Sequence, residues 1–81
     1  MKITTTSRFD RLFASAPKDK REAYLKQSQL LLENLRHPSL RAKKFDEASG
    51  LWQARVTGNW RFRFLIEGDT YVITHIGPHP K

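Results

Sequence analysis

Three runs of alternating apolar and polar residues between Gly50 and His79 constrain the fold more than any other feature of the sequence. Two turn signals, Thr57-Gly58-Asn59 and Glu67-Gly68-Asp69, separate the runs. Short turns of this kind join neighbouring strands that run in opposite directions. The segment therefore predicts a three-stranded antiparallel meander.

Each run divides into two sets of side chains, because successive residues of a strand point to opposite faces of the sheet. The aromatic set must face the core, which places Arg61 and Arg63 on the other face, called the arginine face from here on. The expected core set is Trp52, Ala54 and Val56 from the first run, with Trp60, Phe62, Phe64 and Ile66 from the second. Gln53 and Arg55 join the arginine face.

The phase of the third run stays open, because both of its faces are apolar. One face carries Val72, Thr74 and Ile76, and the other carries Tyr71, Ile73 and His75. If the second set lies with the arginines, the sheet presents a polar cluster suited to holding a phosphodiester. Its members would be Gln53, Arg55, Arg61, Arg63, Tyr71 and His75, with His79 following the Gly77-Pro78 turn.

The first half of the chain predicts one strand and two helices. A threonine-rich strand over Lys2–Thr6 is followed by a helix that Ser7 caps and Pro17 ends. A second helix runs from about Lys18 to Leu35, before His37-Pro38. Residues 38–49 are expected to form a loop, anchored in the core by Leu40 and Phe45. The helices should form a hairpin that packs on the sheet.

Charge indicates the kind of partner. The formal net charge is +7 on 81 residues, and residues 36–63 hold seven Lys and Arg against two acidic residues. A concentrated positive field attracts polyanions or an acidic protein. The loop cations Arg41, Lys43 and Lys44 would contact phosphate without reading sequence. The alternative is an ordinary solvated basic surface.

Composition also excludes several classes. The chain has no cysteine, which rules out disulfides and cysteine-ligated metals, and its three histidines form no metal motif. No apolar run approaches the length of a membrane span, and no signal peptide is recognisable. We expect a single domain over residues 1–81, a cytoplasmic location, and no membrane partner.

The order of strand, helix, helix, basic loop and three-stranded meander resembles the RelE/ParE superfamily of toxins from type II toxin–antitoxin systems. The most specific segments are His37-Pro38-Ser39-Leu40-Arg41, Lys43-Lys44-Phe45, Gly50–Val56, Trp60–Phe64 and His75–His79. The resemblance implies an α+β fold of order β-α-α-β-β-β, with a twisted antiparallel sheet and a two-helix hairpin packed on one face.

The same resemblance implies a function. The superfamily includes ribosome-dependent mRNA endonucleases, which inhibit translation, and gyrase poisons. The implied partners are a cognate antitoxin, the ribosome with its mRNA, and operator DNA reached through the antitoxin; no cofactor is implied. The alternatives are a toxin with a non-nuclease target such as gyrase and an inactive relative that keeps only antitoxin and operator binding.

Individual residues carry over from the superfamily. Arg61 matches a phosphate-contacting arginine of the nuclease members, and His79 matches the catalytic histidine that ends the last strand in the YafQ-like branch. His75 falls where that branch usually has a second arginine. Gln53 and Arg55 match strand positions that carry lysine or other polar residues. Such members continue past the histidine with an acidic residue and a terminal aromatic, where this sequence has Pro80-Lys81, so we expect weaker base stacking there.

The residue types suit RNA cleavage by attack of the substrate's own 2′-hydroxyl. A histidine, with an ordinary pKa near 6.5, can act as acid or base near neutral pH. An arginine stays charged and can grip a phosphate with two donors. Each residue also has a simpler explanation. Arg61 could pair with Glu67 or Asp69, His75 could be a half-buried strand residue, and His79 could be an ordinary terminal residue.

Overall fold

The structure, a computed structural model, describes residues 1–79 as two helices on a five-stranded sheet. The elements are β1 (Lys2–Thr5), α1 (Ser7–Ser15), α2 (Lys18–Glu33), β2 (Lys43–Asp46), β3 (Leu51–Thr57), β4 (Trp60–Glu67) and β5 (Thr70–Pro78). The strand order is β1-β5-β4-β3-β2. Strands β3, β4 and β5 form antiparallel pairs in sequence order, which confirms the meander and the α+β class.

The two edge strands depart from expectation. β1 lies parallel to β5, so the sheet is mixed and the expectation of a wholly antiparallel sheet is wrong. The N–H of Lys2 donates to the carbonyl of Asp69 at 2.8 Å, and that of Thr6 to Ile73 at 3.1 Å. Residues 43–46, expected in a loop, form β2 on the other edge, antiparallel to β3. A strand there pairs backbone groups that β3 would otherwise leave open.

The helices lie close to their predicted positions. α1 is capped by Thr6, whose hydroxyl accepts a hydrogen bond from the N–H of Phe9 at 3.1 Å; the cap is therefore one residue earlier than predicted. α2 begins at Lys18, directly after Pro17, and ends at Glu33, slightly before the predicted end at Leu35. No helix within residues 1–79 is long and apolar enough to cross a membrane.

The core lies between the helices and the aromatic face of the meander. Phe62 and Phe64 are fully buried, and the ring of Tyr24 from α2 meets Phe62 edge-on at a centroid distance of 5.2 Å. Leu40 is also fully buried, as predicted for an anchor of its segment. Phe45, the second predicted anchor, is not in the core; its side chain is 49% exposed. The predicted phase of β3 and β4 is confirmed, because Ala54, which pairs with Phe62, and Val56 are buried. Ile66, also expected in the core, is 38% exposed near the end of β4, so its predicted burial is wrong.

Replacing Phe62 with alanine should destabilise the protein strongly. The Phe62 side chain is 0% exposed, so truncation removes its packing and leaves a cavity. Such truncations cost about 3–5 kcal/mol. For a domain of this size, the melting temperature should fall by more than about 10 °C. Phe45→Ala is a matched control, since it removes the same atoms from an exposed site, and its melting temperature should change far less. Similar melting temperatures for the two variants would contradict the observed burial.

Candidate active site

A cleft of about 180 Å³ opens on the arginine face of the sheet. We call it the basic cleft, and the residues that line it are Arg41, Lys43, Gln53, Arg61 and His79. These residues come from the segment before β2, from β2, β3 and β4, and from the residue after β5. Every one of them was a sequence-predicted site residue. Residues distant in the chain thus meet around one small cavity.

Strand pairing positions the middle of the basic cleft. Lys43 of β2 lies opposite Gln53 of β3, and Arg61 of β4 lies opposite Gly77 of β5. Paired residues of neighbouring strands point to the same face of the sheet. Gly77 has no side chain, so nothing projects beside Arg61 on the β5 side, whereas Arg55 pairs with Arg61 on the β3 side.

Backbone contacts hold the two ends of the basic cleft. The carbonyl of the buried Leu40 accepts from the N–H of Arg55 at 2.7 Å, which fixes the preceding segment against β3. Arg41 follows with a φ of +46°, an uncommon value for a residue other than glycine. At the other end, the N–H of His79 donates to the carbonyl of Asn59 at 2.7 Å. This bond holds His79 beside the β3–β4 turn, although its side chain is exposed.

The Arg61 guanidinium is held by the turn next to it. Its Nη1 donates to the carbonyls of Thr57 at 2.8 Å, Gly58 at 3.3 Å and Trp60 at 2.9 Å. Partial burial lowers the pKa of Arg61, and the positive charges of Arg55 and Arg41 lower it further. Arginine still remains protonated near neutral pH. Arg61 is therefore a fixed positive charge in a site where other positive charges accumulate.

No carboxylate neutralises this cluster within residues 1–79. The ion pairs in that range are Lys2–Asp69 at 3.7 Å and Lys20–Asp19 at 3.6 Å, and neither includes a residue that lines the basic cleft. The pairing of Arg61 with Glu67 or Asp69, considered from the sequence, does not occur. Neighbouring cations without counterions repel one another, so a bound anion relieves that repulsion. The same residues include no cluster of potential metal ligands.

His75 lies beside the basic cleft without lining it. It pairs with Arg63 across β4 and β5, and a Cβ placed on Gly77 would approach the His75 Nε2 to 3.2 Å. The imidazole thus leans over the residue opposite Arg61. Its Nδ1 is buried with no hydrogen-bond partner. Burial lowers the pKa of His75, with further contributions from Arg63 and Arg8, so the neutral imidazole is favoured.

Tyr71 is not part of the site, and its predicted place on the arginine face is wrong. Its side chain is 4% exposed and meets the Phe64 ring edge-on at 5.5 Å. The cause is a bulge in β5: Phe64 pairs with Ile73, but the preceding residue of β4, Arg63, pairs with His75. The extra residue reverses the alternation, so Tyr71 and Ile73 face the core while His75 faces the arginine side.

Lys44 and Arg55 lie outside the basic cleft. Lys44 pairs with Trp52, and its Nζ lies 5.6 Å from the centroid of that ring, on the helix side of the sheet. This placement argues against a shared phosphate contact with Lys43. Arg55 lines a second cavity of about 290 Å³ together with Lys26 and Gly58. Arg55 still adds to the positive field at Arg61, whose pKa it lowers.

Sequence reasoning missed Phe45 as a surface residue of the arginine face. The Arg63 guanidinium carbon lies 4.0 Å from the centroid of the Phe45 ring, and the Arg63 Nε donates to Gln53 Oε1 at 3.3 Å. The signal for this placement was present, since Lys43 and Phe45 are two residues apart and share a face if the segment is extended. Assigning residues 38–49 to a loop concealed it.

The sequence matches no protein-family model, and no curated protein sequence matches it. Solved structures do resemble it. A YoeB/ParE toxin from Agrobacterium tumefaciens has a TM-score of 0.81 at 14% identity, covering 99% of this chain and all of the toxin. The RelE–RelB complex from Pyrococcus horikoshii has a TM-score of 0.79 at 16% identity, and the match covers 99% of this chain and 96% of the matched chain. The DinJ–YafQ toxin–antitoxin complex from E. coli has a TM-score of 0.76 at 15% identity, and the match covers 95% of this chain and 90% of the matched chain. The chain thus has the fold of these toxins.

Proposed function

We propose that this chain is the toxin of a type II toxin–antitoxin system and that it inhibits translation by cleaving mRNA on the ribosome. One observation carries the proposal: Arg61 and His79 meet in the basic cleft with two further cations. The fold, shared with RelE, YoeB and YafQ toxins over nearly the whole chain, supports it. A single domain over residues 1–81, acting in the cytoplasm, belongs to the same proposal.

In the proposed reaction, the phosphodiester of the mRNA lies in the basic cleft. Arg41, Lys43 and Arg61 compensate its charge, which grows as the 2′-oxygen attacks phosphorus. The 2′-hydroxyl proton leaves to solvent, and the bond to the 5′-oxygen breaks with its electron pair. The products are a 2′,3′-cyclic phosphate and a free 5′-hydroxyl. No redox partner or cofactor takes part.

His79 supplies the proton for the leaving 5′-oxygen. Histidine gains and loses a proton near neutral pH, and His79 is the one histidine among the residues that line the basic cleft. Its backbone is held beside the β3–β4 turn, and its side chain is exposed. An exposed side chain is needed here because the substrate, an mRNA on the ribosome, is too large to enter a closed site. His75, half-buried and favoured as the neutral imidazole, would add no charge to phosphate binding.

The test of this function is cleavage of mRNA on programmed ribosomes by the purified protein. We expect new 5′ ends with 5′-hydroxyl termini in the ribosome-bound mRNA, and no cleavage of the same mRNA without ribosomes. Intact mRNA at high protein concentration would contradict the proposal. Inhibited DNA supercoiling in a parallel gyrase assay would instead favour the non-nuclease alternative.

The proposed antitoxin partner has an apolar groove available to it. The groove, of about 400 Å³, lies between α1, α2 and β1, and its apolar lining residues are Ile3, Phe9, Phe13, Tyr24, Leu25 and Leu32. Leu25 is 55% exposed and Leu32 37%. YafQ has been solved with its antitoxin DinJ. The net charge of +7 favours an acidic partner. We propose that the antitoxin places an amphipathic acidic segment in this groove.

Leu25→Asp should therefore prevent co-purification of the protein with the product of the adjacent reading frame. The variant puts a charge where an apolar contact is proposed, and it should leave mRNA cleavage on ribosomes unchanged because Leu25 lies outside the basic cleft. Ala14→Asp is the matched control, since it adds the same charge at an exposed position of α1 that does not line the groove. Normal co-purification of Leu25→Asp would rule out this groove as the docking surface.

A further inference from the structure

Phe45 is an aromatic side chain on a surface that is otherwise basic. It is 49% exposed, belongs to the edge strand β2, and lies where the pairing with β3 shifts register between Lys44 and Asp46. Its ring lies under the Arg63 guanidinium at 4.0 Å, on the opposite side of the sheet from the core. Phe45 thus contributes little to the core.

The Phe45–Arg63 pair is continuous with the basic cleft. Arg63 donates to Gln53, and Gln53 lines the cleft. Lys43 also lines it, two residues before Phe45 on the same strand, which corresponds to a distance of about 7 Å along β2. A nucleic acid whose phosphate occupies the cleft would therefore carry a neighbouring nucleotide past the Phe45 ring.

We propose that Phe45, with Arg63 packed on its ring, is a stacking surface for the base of a nucleotide next to the phosphate held in the basic cleft. The inference rests on the proposed function, because it takes RNA as the ligand of that cleft. Aromatic side chains in basic grooves bind bases by stacking, and they tolerate any base because every base has a flat π face. Arg63 covers part of the ring and adds positive charge, while about half of the side chain remains exposed.

The chemistry of the pair fits RNA better than a purely apolar ligand. Arg63 has no carboxylate partner within residues 1–79, so its charge is available to a phosphate near the stacked base. An apolar partner would have to bury this guanidinium beside the ring, at a cost in solvation. A base accepts both neighbours, since it stacks on the ring while its phosphate stays close to the charge.

The test is direct binding of a short single-stranded RNA, 2′-O-methylated so that it cannot be cleaved. Phe45→Leu keeps an apolar side chain of similar size but has no π face, and should weaken binding about 10- to 100-fold. Phe45→Trp should bind at least as well as the native protein. With an RNA that lacks the base at the stacking position, native protein and Phe45→Leu should bind equally. Melting temperatures should be similar throughout, because the side chain is exposed.

Several results would overturn the inference. The first is equal binding of the intact RNA by native protein and Phe45→Leu. The second is that Phe45→Leu weakens binding of the abasic RNA as much as it weakens binding of the intact RNA. The third is that the native protein shows no measurable binding of the intact RNA. Cleavage on ribosomes is measured separately. If native protein binds the methylated RNA through Phe45 but cleaves nothing, the proposed nuclease function fails while the stacking site stands. If it cleaves and Phe45→Leu cleaves and binds equally well, only the stacking site fails.

Discussion

His79→Ala should lower the single-turnover rate of mRNA cleavage on programmed ribosomes by roughly 10²–10⁴-fold, the usual contribution of a general acid–base group. The proton is transferred only as the bond breaks, so binding of the protein to the ribosome should change little. His79 lines the basic cleft and is fixed through its backbone to Asn59, so removing its imidazole should not disturb the neighbouring cations.

The matched control for this variant is His37→Ala. His37 follows α2, its Nδ1 accepts a hydrogen bond from the N–H of Ser39 at 3.1 Å, and it does not line the basic cleft. The control should cleave at the native rate once its fold has been checked by thermal melting. If His79→Ala cleaves normally, His75, which leans over Gly77 beside Arg61, becomes the candidate. Normal cleavage by both His75→Ala and His79→Ala would end the case for histidine catalysis.

Arg61→Ala should impair both ribosome-bound mRNA binding and turnover, with a loss in single-turnover rate of about 10²–10³-fold, typical of removing one fixed charge-stabilising donor. Arg61 compensates the phosphate in the bound state and in the transition state. One nitrogen of its guanidinium is already held by carbonyls of the β3–β4 turn, which leaves the other nitrogens for the ligand. The fixed position is what makes the charge effective.

Arg61→Lys separates charge from geometry. Lysine keeps the positive charge but has a single nitrogen, which cannot both bind the turn carbonyls and grip a phosphate with two donors. We expect it to recover only a small part of the activity lost in Arg61→Ala. Arg36→Ala, at an exposed arginine outside the basic cleft, is the control and should be fully active. Full activity of Arg61→Lys would show that charge alone suffices, and full activity of Arg61→Ala would remove Arg61 from the mechanism.

Much of the site was predictable because alternation along a strand is a local property. Runs of period two placed Phe62 and Phe64 in the core and Arg61 and Arg63 on the other face, and the structure agrees. The helix hairpin followed in the same way from local periodicity and from Pro17 and Pro38. The sequence placed Arg41 in a basic segment beside the sheet and His79 just past the last strand, but local pattern could not bring both of them to Arg61. Their convergence depends on contacts between distant segments, Leu40 with Arg55 and His79 with Asn59.

By itself the sequence determined the local elements: the meander, the two helices, the concentration of positive charge, and which side of β3 and β4 is buried. Tertiary structure alone decided the phase of β5, the strand at residues 43–46, the parallel pairing of β1, and the exposure of Phe45. The physical reason is that these features depend on pairing with a neighbouring strand. The bulge that turns Tyr71 toward the core and His75 toward the arginine face cannot be recognised from the hydrophobicity of the residues around it. An edge strand forms only where a neighbouring strand offers free backbone groups to pair with.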